Sequence, residues 1–417
     1  MDKKHLKIFF SNFLSLSFNQ VVNVIVAIIV TPIIFQTLGD SNYGLVRISF
    51  SISIILSIII SYGYHLNGPK KISILNNLKS KQNLINEILS IRLLLAIITL
   101  SIVALIIFST NVFEDYKLIL FFSLVLLFSE AFNPIFYLQG NDKISIYSII
   151  NTVSKLIYIL LIVILIKNPN DSYLVNLSLG SSAVIVHLFF WILFFNKNKD
   201  QIKFRVPLIS CLLERLKENF YFFTSSIGSH VSIHSSLIIL EIFVNSSQIG
   251  QFALAHRVAF FLRKIPFFIV QSILQKVTAQ NLKKNFKLTK FLNYFFVKGL
   301  LLSLFCALFV CFFSENIIFY LAGENILYSQ QILIILSFVP FLTTLNMKNI
   351  IIILIYEKKE LMSKSIWIST VFMLISSIIL TYFFGGIGLA IAILISEFTS
   401  FIVHSILLGN NKFHLKN

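Results

Sequence analysis

The chain has 417 residues, 57% of them hydrophobic, and a formal net charge of +17 from 34 lysines and arginines against 17 acids. A mean hydropathy of +0.88 excludes a water-soluble globular domain, and three cysteines fit no disulfide framework. A bilayer accommodates both properties, because apolar runs meet lipid while charges are sorted into the connectors.

Runs of about twenty apolar residues fall near 13–36, 45–68, 88–109, 117–139, 148–167 and 174–195, and again near 219–243, 251–275, 291–313, 329–355, 365–384 and 387–408. Lipid offers the backbone no hydrogen-bond partner, and these runs are too long for barrel strands, so each predicts a helix. The expected fold is an all-α integral membrane protein of about 12 transmembrane helices. The first span is too long for a signal peptide, and Thr37-Leu38-Gly39-Asp40 beyond it offers no small-residue cleavage site.

Connectors between the spans fall into two classes. Lys3, Lys4, Lys7, Lys70, Lys71, Lys79, Lys81, Lys143, the loop 196–217, the stretch from Lys276 to Lys290, Lys358, Lys359, Lys364 and the tail hold 24 of the 34 cations. The alternate connectors hold only Lys117 and Lys167. The positive-inside rule therefore predicts an even number of spans with both termini in the cytoplasm. The outer connectors are short and carry a single adjacent acid pair, Glu114-Asp115. That argues against a membrane glycan polymerase or transferase, which needs a large outer loop with an acidic site.

The basic loop 196–217 lies midway and predicts three parts: a six-helix lobe at 1–195, the linker 196–217, and a second six-helix lobe at 218–417. Asn12-Phe13 and Asn219-Phe220 precede the first and seventh spans, 207 residues apart, and Ser41-Asn42-Tyr43-Gly44 and Ser247-Gln248-Ile249-Gly250 open the second and eighth, 206 apart. Six spans return the chain to the same side, so this is a parallel repeat, which places a substrate site between the halves near mid-membrane.

At the amino terminus the pattern becomes specific. Asn12-Phe13-Leu14-Ser15 through Thr31-Pro32, then Gln36-Thr37-Leu38-Gly39-Asp40-Ser41-Asn42-Tyr43-Gly44-Leu45, resembles the polysaccharide transporters, the O-antigen flippases of the multidrug/oligosaccharidyl-lipid/polysaccharide exporter superfamily. Tyr62-Gly63-Tyr64-His65-Leu66-Asn67 before Lys70-Lys71-Ile72-Ser73, and Gln139-Gly140-Asn141-Asp142-Lys143, resemble that family's second-span ending and the loop after its fourth span. The chain departs from the family where a proline often ends span eight; Gln275-Lys276-Val277 stands there. The resemblance implies two lobes forming a V, with spans one, two, seven and eight lining a cavity. It also implies alternating access for an undecaprenyl-pyrophosphate-linked oligosaccharide in the bacterial inner membrane, handed on to a polysaccharide polymerase and chain-length regulator. It implies no cofactor and no nucleic acid.

Charge inside lipid is costly and marks function or structure. Eight cations lie within the spans: Arg47, Arg92, Lys155, Arg257, Arg263, Lys264, Lys298 and Lys348. Arg92 and Lys298 lie near the inner interface and read as snorkelling anchors. Arg257 and Lys264, seven apart on one helical face, read as cavity cations, with Arg263 pointing elsewhere. For Arg47, an interfacial anchor and a cavity cation are both consistent with its place near the outer end of span two. A pyrophosphate suits arginine's planar donor fork, with lysine as a point charge.

Among the acids, Glu130 lies at the depth of Lys155 and predicts an ion pair inside the first lobe. Glu397 lies mid-span with no evident partner and is the candidate for proton coupling. His230 and His234 lack further metal ligands and read as polar lining, so no metal is expected. Pro32, Pro134, Pro266 and Pro340 interrupt spans one, four, eight and ten, and Gly385-Gly386 predicts a tight turn. No nucleotide loop appears. The favoured reading is a flippase; a drug or cation antiporter of the same superfamily is the alternative, and a membrane glycan polymerase or transferase the weaker one.

Overall fold

A computed structural model describes residues 3–197, 209–264, 266, 288–356 and 359–410. Most of the basic linker, the end of span eight with Gln275-Lys276-Val277, the cations Lys276 to Lys287, Lys358 and the basic tail lie outside the described residues. Among the described residues the protein is helical throughout, without strands.

The first helix, α1 (Lys3–Ser61), has 59 residues and is two crossings rather than one. At about 1.5 Å per residue it is far too long for a hydrocarbon core of about 30 Å. It turns back at Gly39, whose φ of 75° and ψ of 170° belong to a region open only to glycine. Pro32 sits within α1 without breaking its helical dihedrals, so the interruption expected there falls at Gly39 instead. A short helix α2 (Tyr64–Ile74) follows, then α3 (Leu78–Ser109).

Span four is broken into α4 (Lys117–Ser123), α5 (Val125–Ala131) and α6 (Ile135–Gly140), with Pro134 at the last break. After it come α7 (Ile144–Leu165), α8 (Tyr173–Lys197), α9 (Ile209–Glu241) and α10 (Ser246–Leu262). Beyond the undescribed stretch lie α11 (Leu288–Phe312) and α12 (Ser314–Ala322). Span ten is again segmented, into α13 (Leu327–Leu336), α14 (Val339–Leu345) and α15 (Met347–Ile355), with Pro340 in the first turn of α14, where its missing N–H is harmless. The last helix, α16 (Lys359–Asn410), folds back at Gly385, φ 56°. There the Gly386 N–H donates to the Tyr328 hydroxyl at 2.9 Å.

Among the described residues, eight helices are long and apolar enough to cross a membrane. Two of them, broken at Gly39 and Gly385, each cross twice. The serine- and histidine-rich α9 and the 17-residue α10 supply the remaining two, for twelve crossings. Lipid-facing character is plain in the surface: Ile102, Leu105 and Phe108 on α3, Leu156 and Leu160 on α7, and Phe305 and Phe312 on α11 are exposed. Only 22% of the apolar window of α11 is buried.

Two compact units divide the chain, Met1–His230 and Val231–Asn417, and the boundary falls inside α9. The core of the first unit gathers Tyr64, Ile88, Phe136, Tyr137 and Trp191. A smaller core in the second unit gathers Leu292, Met347, Ile351 and Ile352.

Candidate functional site

The break in span four sets a problem in polar satisfaction. Where α5 stops and Pro134 supplies no N–H, the carbonyls of Ser129, Phe132 and Asn133 lose helical donors in a setting without water. Side chains from two other helices replace them. His187 Nδ1–H donates to Ser129 O at 3.0 Å, and Trp191 Nε1–H to Phe132 O at 2.7 Å. Arg92 Nη1 donates to Asn133 O at 3.2 Å and lies 3.4 Å from Glu130 O.

Arg92 is wholly buried, against the interfacial anchor expected of it. Its Nη2 lies 3.9 Å from Glu130 Oε1, and its guanidinium carbon 5.0 Å from the centre of the Phe136 ring. The sequence reading set Lys155 against Glu130; the ion pair seen at Glu130 is with Arg92. Arg92 is the cation against Glu130, because the helix break draws it in as a cap for carbonyls that carry negative partial charge. Asn133 Nδ2 donates to the second oxygen of Glu130 at 3.2 Å. Lys155 instead lies with its ammonium 6.0 Å from the Tyr158 ring centre.

In the second unit, Glu397 on α16 is buried and ion-paired with Arg263, the residue that caps α10. Thr343 on α14 holds its hydroxyl 3.2 Å from Glu397 Oε2 and 2.9 Å from Val339 O, donating to one at a time. Glu397, read from the sequence as an acid without an evident partner, has one in Arg263. Three helices thus meet on one charge pair.

The proposed cavity cations are half-buried. Arg47, on the second leg of α1, places its guanidinium carbon 4.9 Å from the centre of the Phe50 ring. Arg257 lies mid-way along α10 beside His256, which stacks on Phe252 at 5.6 Å. Lys264 lies just beyond α10, its ammonium 5.3 and 5.4 Å from the rings of Phe260 and Phe261. Arg47 belongs to the first unit and the other two to the second. His230 Nδ1–H donates to Ser226 O at 3.0 Å and its ring faces His65 at 6.4 Å. Among the described residues no three metal-ligating side chains converge.

Two polar groupings escaped the sequence. In one, Asn151 on α7 donates to Asn19 and, at 3.4 Å, to Asn23 of α1. The i, i+4 asparagines were its available signal. The other lies at the basic end. Arg215 Nε donates to Glu87 at 2.8 Å and its Nη1 to Glu218 at 3.0 Å, while Lys71 donates to the same Glu218. The Lys71 ammonium, aided by Arg215, holds the Glu218 carboxyl below the usual carboxylate range. Burial and the Glu87 carboxylate push the Cys211 thiol up, which leaves it unreactive.

Comparison with known proteins locates this arrangement. The sequence profile of the polysaccharide biosynthesis protein family matches residues 9–277. A protein of Shigella dysenteriae, provisionally named an O-antigen transporter, is 22% identical over 352 residues, covering 82% of this chain and 85% of its own. Among solved structures, an inward-facing multidrug resistance transporter of the MATE family and MOP superfamily is similar with a TM-score of 0.73, 15% identity and coverage of 97% of this chain and 99% of that one. The lipid II flippase MurJ in an inward closed conformation is similar with a TM-score of 0.72 and 15% identity, covering 97% of this chain and 88% of that one. Those two likenesses establish the fold, and the chain, a multi-pass membrane protein, belongs to the polysaccharide biosynthesis protein family.

Proposed function

We propose that the protein is a flippase that carries an undecaprenyl-pyrophosphate-linked oligosaccharide, an O-antigen or capsule repeat unit, across the bacterial cytoplasmic membrane by alternating access. Both termini face the cytoplasm, and the lobes 1–195 and 218–417 are joined by the basic linker 196–217. A polysaccharide polymerase and chain-length regulator take up the product.

The observation that carries this reading is the sign of the charge at depth. Glu130 and Glu397 are each engaged by an arginine, Arg92 and Arg263. Arg47, Arg257 and Lys264 add positive charge on α1 and at α10. A pyrophosphate-bearing lipid needs cations, and arginine's fork matches its oxygens. We assign these three side chains as cargo contacts.

The names of the relatives support the same cargo class: an O-antigen transporter by sequence and a lipid II flippase by fold. The multidrug transporter is equally similar in fold, so charge is what discriminates. An antiporter for cationic drugs needs an acid available to its substrate, whereas Glu397 is held by Arg263. Catalysis is not supported, since the outer connectors are short and their acid pair, Glu114 and Asp115, lines an open cavity beside Lys117.

Complementation of a flippase-deficient strain tests the reading, with lipid-linked glycan followed on each leaflet. The expected result is clearance of repeat units from the inner leaflet and restored surface polysaccharide. Failure with every repeat unit offered overturns it.

A further inference from the structure

The chain between α1 and α2 is strained at one point, and the basic half of α9 is seated on that point. Tyr62, φ 41°, and Gly63, φ 75°, are consecutive residues in the left-handed region. For a tyrosine this is a costly conformation, of the kind found at hinges and switches. The Tyr62 ring stacks on Phe223 of α9, with centroids 4.4 Å apart and planes within 12°. Gly63 lies so close to α9 that a Cβ there would stand 2.6 Å from Phe222 Cβ and 2.9 Å from the backbone of Phe222 and Phe223. No side-chain rotation could relieve the backbone contact.

Around this seat is a shell of polar contacts from α2 and α3. Asn67 Nδ2 donates to Asn219 Oδ1 at 2.9 Å, both residues being buried. Outside them the acids and bases alternate: Lys71 with Glu218, Glu218 with Arg215, Arg215 with Glu87. These charged side chains are 14–39% exposed. Each pair is therefore screened by water and individually weak, while Lys71–Glu218 and Glu87–Arg215 together hold α9 in place. A permanent helix contact in a membrane protein is normally made of close apolar and small-residue packing. This one adds partly exposed ion pairs and a strained turn to the close approach of Gly63 and the Tyr62–Phe223 stack. Past His230 the same helix continues into the second unit.

We propose that the Tyr62–Gly63 turn, Asn67, Lys71 and Glu87 form a reversible latch on residues 215–223 of α9, and that the latch must open for cargo to enter from the basic side. The proposal rests on the flippase reading for its cargo, but the latch itself is measurable without transport. Opening lets Tyr62 leave the left-handed region and exposes Lys71 and Arg215 to water. Closure rebuilds two ion pairs, Lys71–Glu218 and Glu87–Arg215, and the Asn67–Asn219 bond.

The test uses the full-length protein in membranes, with Cys211, Cys306 and Cys311 replaced by serine and cysteines placed as Asn67→Cys and Asn219→Cys. A disulfide forms on mild oxidation, blocks export, and export returns on reduction. Glu218→Ala and Gly63→Ala each slow cross-linking at least threefold at equal expression. The latch is overturned if no disulfide forms, if the cross-linked protein exports at the reduced protein's rate, or if all the variants cross-link at the parent rate. Failure of the flippase reading looks different: the reduced protein then exports no glycan while the cross-linking pattern stays as described.

Discussion

Replacing Glu130 by glutamine strips the carboxylate from a guanidinium that has no exposure to solvent. At the observed 3.9 Å and an effective dielectric of about 20, the pair attracts by about 4 kcal/mol. Glutamine keeps the bond from Asn133 and returns part of this, so a net loss of about 3 kcal/mol is expected, at the low end for a broken buried pair. Spread over a unit of about 230 residues, that lowers the melting temperature by roughly 6–12 °C. Thermal unfolding in detergent, read by size-exclusion fluorescence, measures it. Arg92→Met with Glu130→Gln removes both charges but leaves the carbonyl of Asn133 short of a donor. That deficit costs about 1–3 kcal/mol, so the double variant is no worse than Glu130→Gln alone. A Glu130→Gln melting point within about 2 °C of the parent, or strictly additive losses in the double variant, refutes the idea that Arg92 is bound here as a charged cap.

Further expectations follow from the other charges. Glu397→Gln lowers the melting temperature by a few degrees, through the loss of its partner to Arg263, and leaves the pH profile of export unchanged; a shifted profile identifies Glu397 as a proton carrier instead. Arg47→Ala and Arg257→Ala each lower export by at least tenfold without loss of folded protein, and intact export in both removes them as cargo contacts. Glu218 titrates below the ordinary carboxylate range when folded, so its contribution to the latch is full above about pH 4.3 and is lost only as pH falls through the lower folded value. Spin labels across the latch accordingly report no opening between pH 8 and pH 5, and opening in that window contradicts the ion-pair account.

The twelve crossings were legible because lipid demands long apolar runs and sorts charge into connectors, so most spans emerge within a few residues. Gly385-Gly386 was legible as a tight turn, and α16 does fold back at Gly385. Gly39 was harder to weigh, since a glycine with φ above zero reads the same in sequence as one in a helix. Pro134 and Pro340 did mark real breaks, whereas Pro32 did not, because a proline's cost depends on whether the neighbouring helix can bend around it.

Depth along a helix proved a poor guide to partners. Glu130 and Lys155 match in depth, yet Arg92, 38 positions before Glu130, takes the pair, because the carbonyls freed at Pro134 recruit it. Arg263 and Glu397, 134 positions apart, meet because α10, α14 and α16 pack together. Those neighbours are a product of packing, and periodicity within single helices holds no record of them.

The account stands or falls on movement of an anionic lipid-linked glycan. Purified protein in vesicles loaded on one leaflet with fluorescent undecaprenyl-pyrophosphate-linked oligosaccharide measures this directly, by the fraction that becomes accessible to a glycan-binding probe on the other side. Protein-dependent transfer, faster than in empty vesicles and reduced by Arg257→Ala, is the predicted result. Transfer no faster than in empty vesicles, with a cationic dye transported instead, contradicts it.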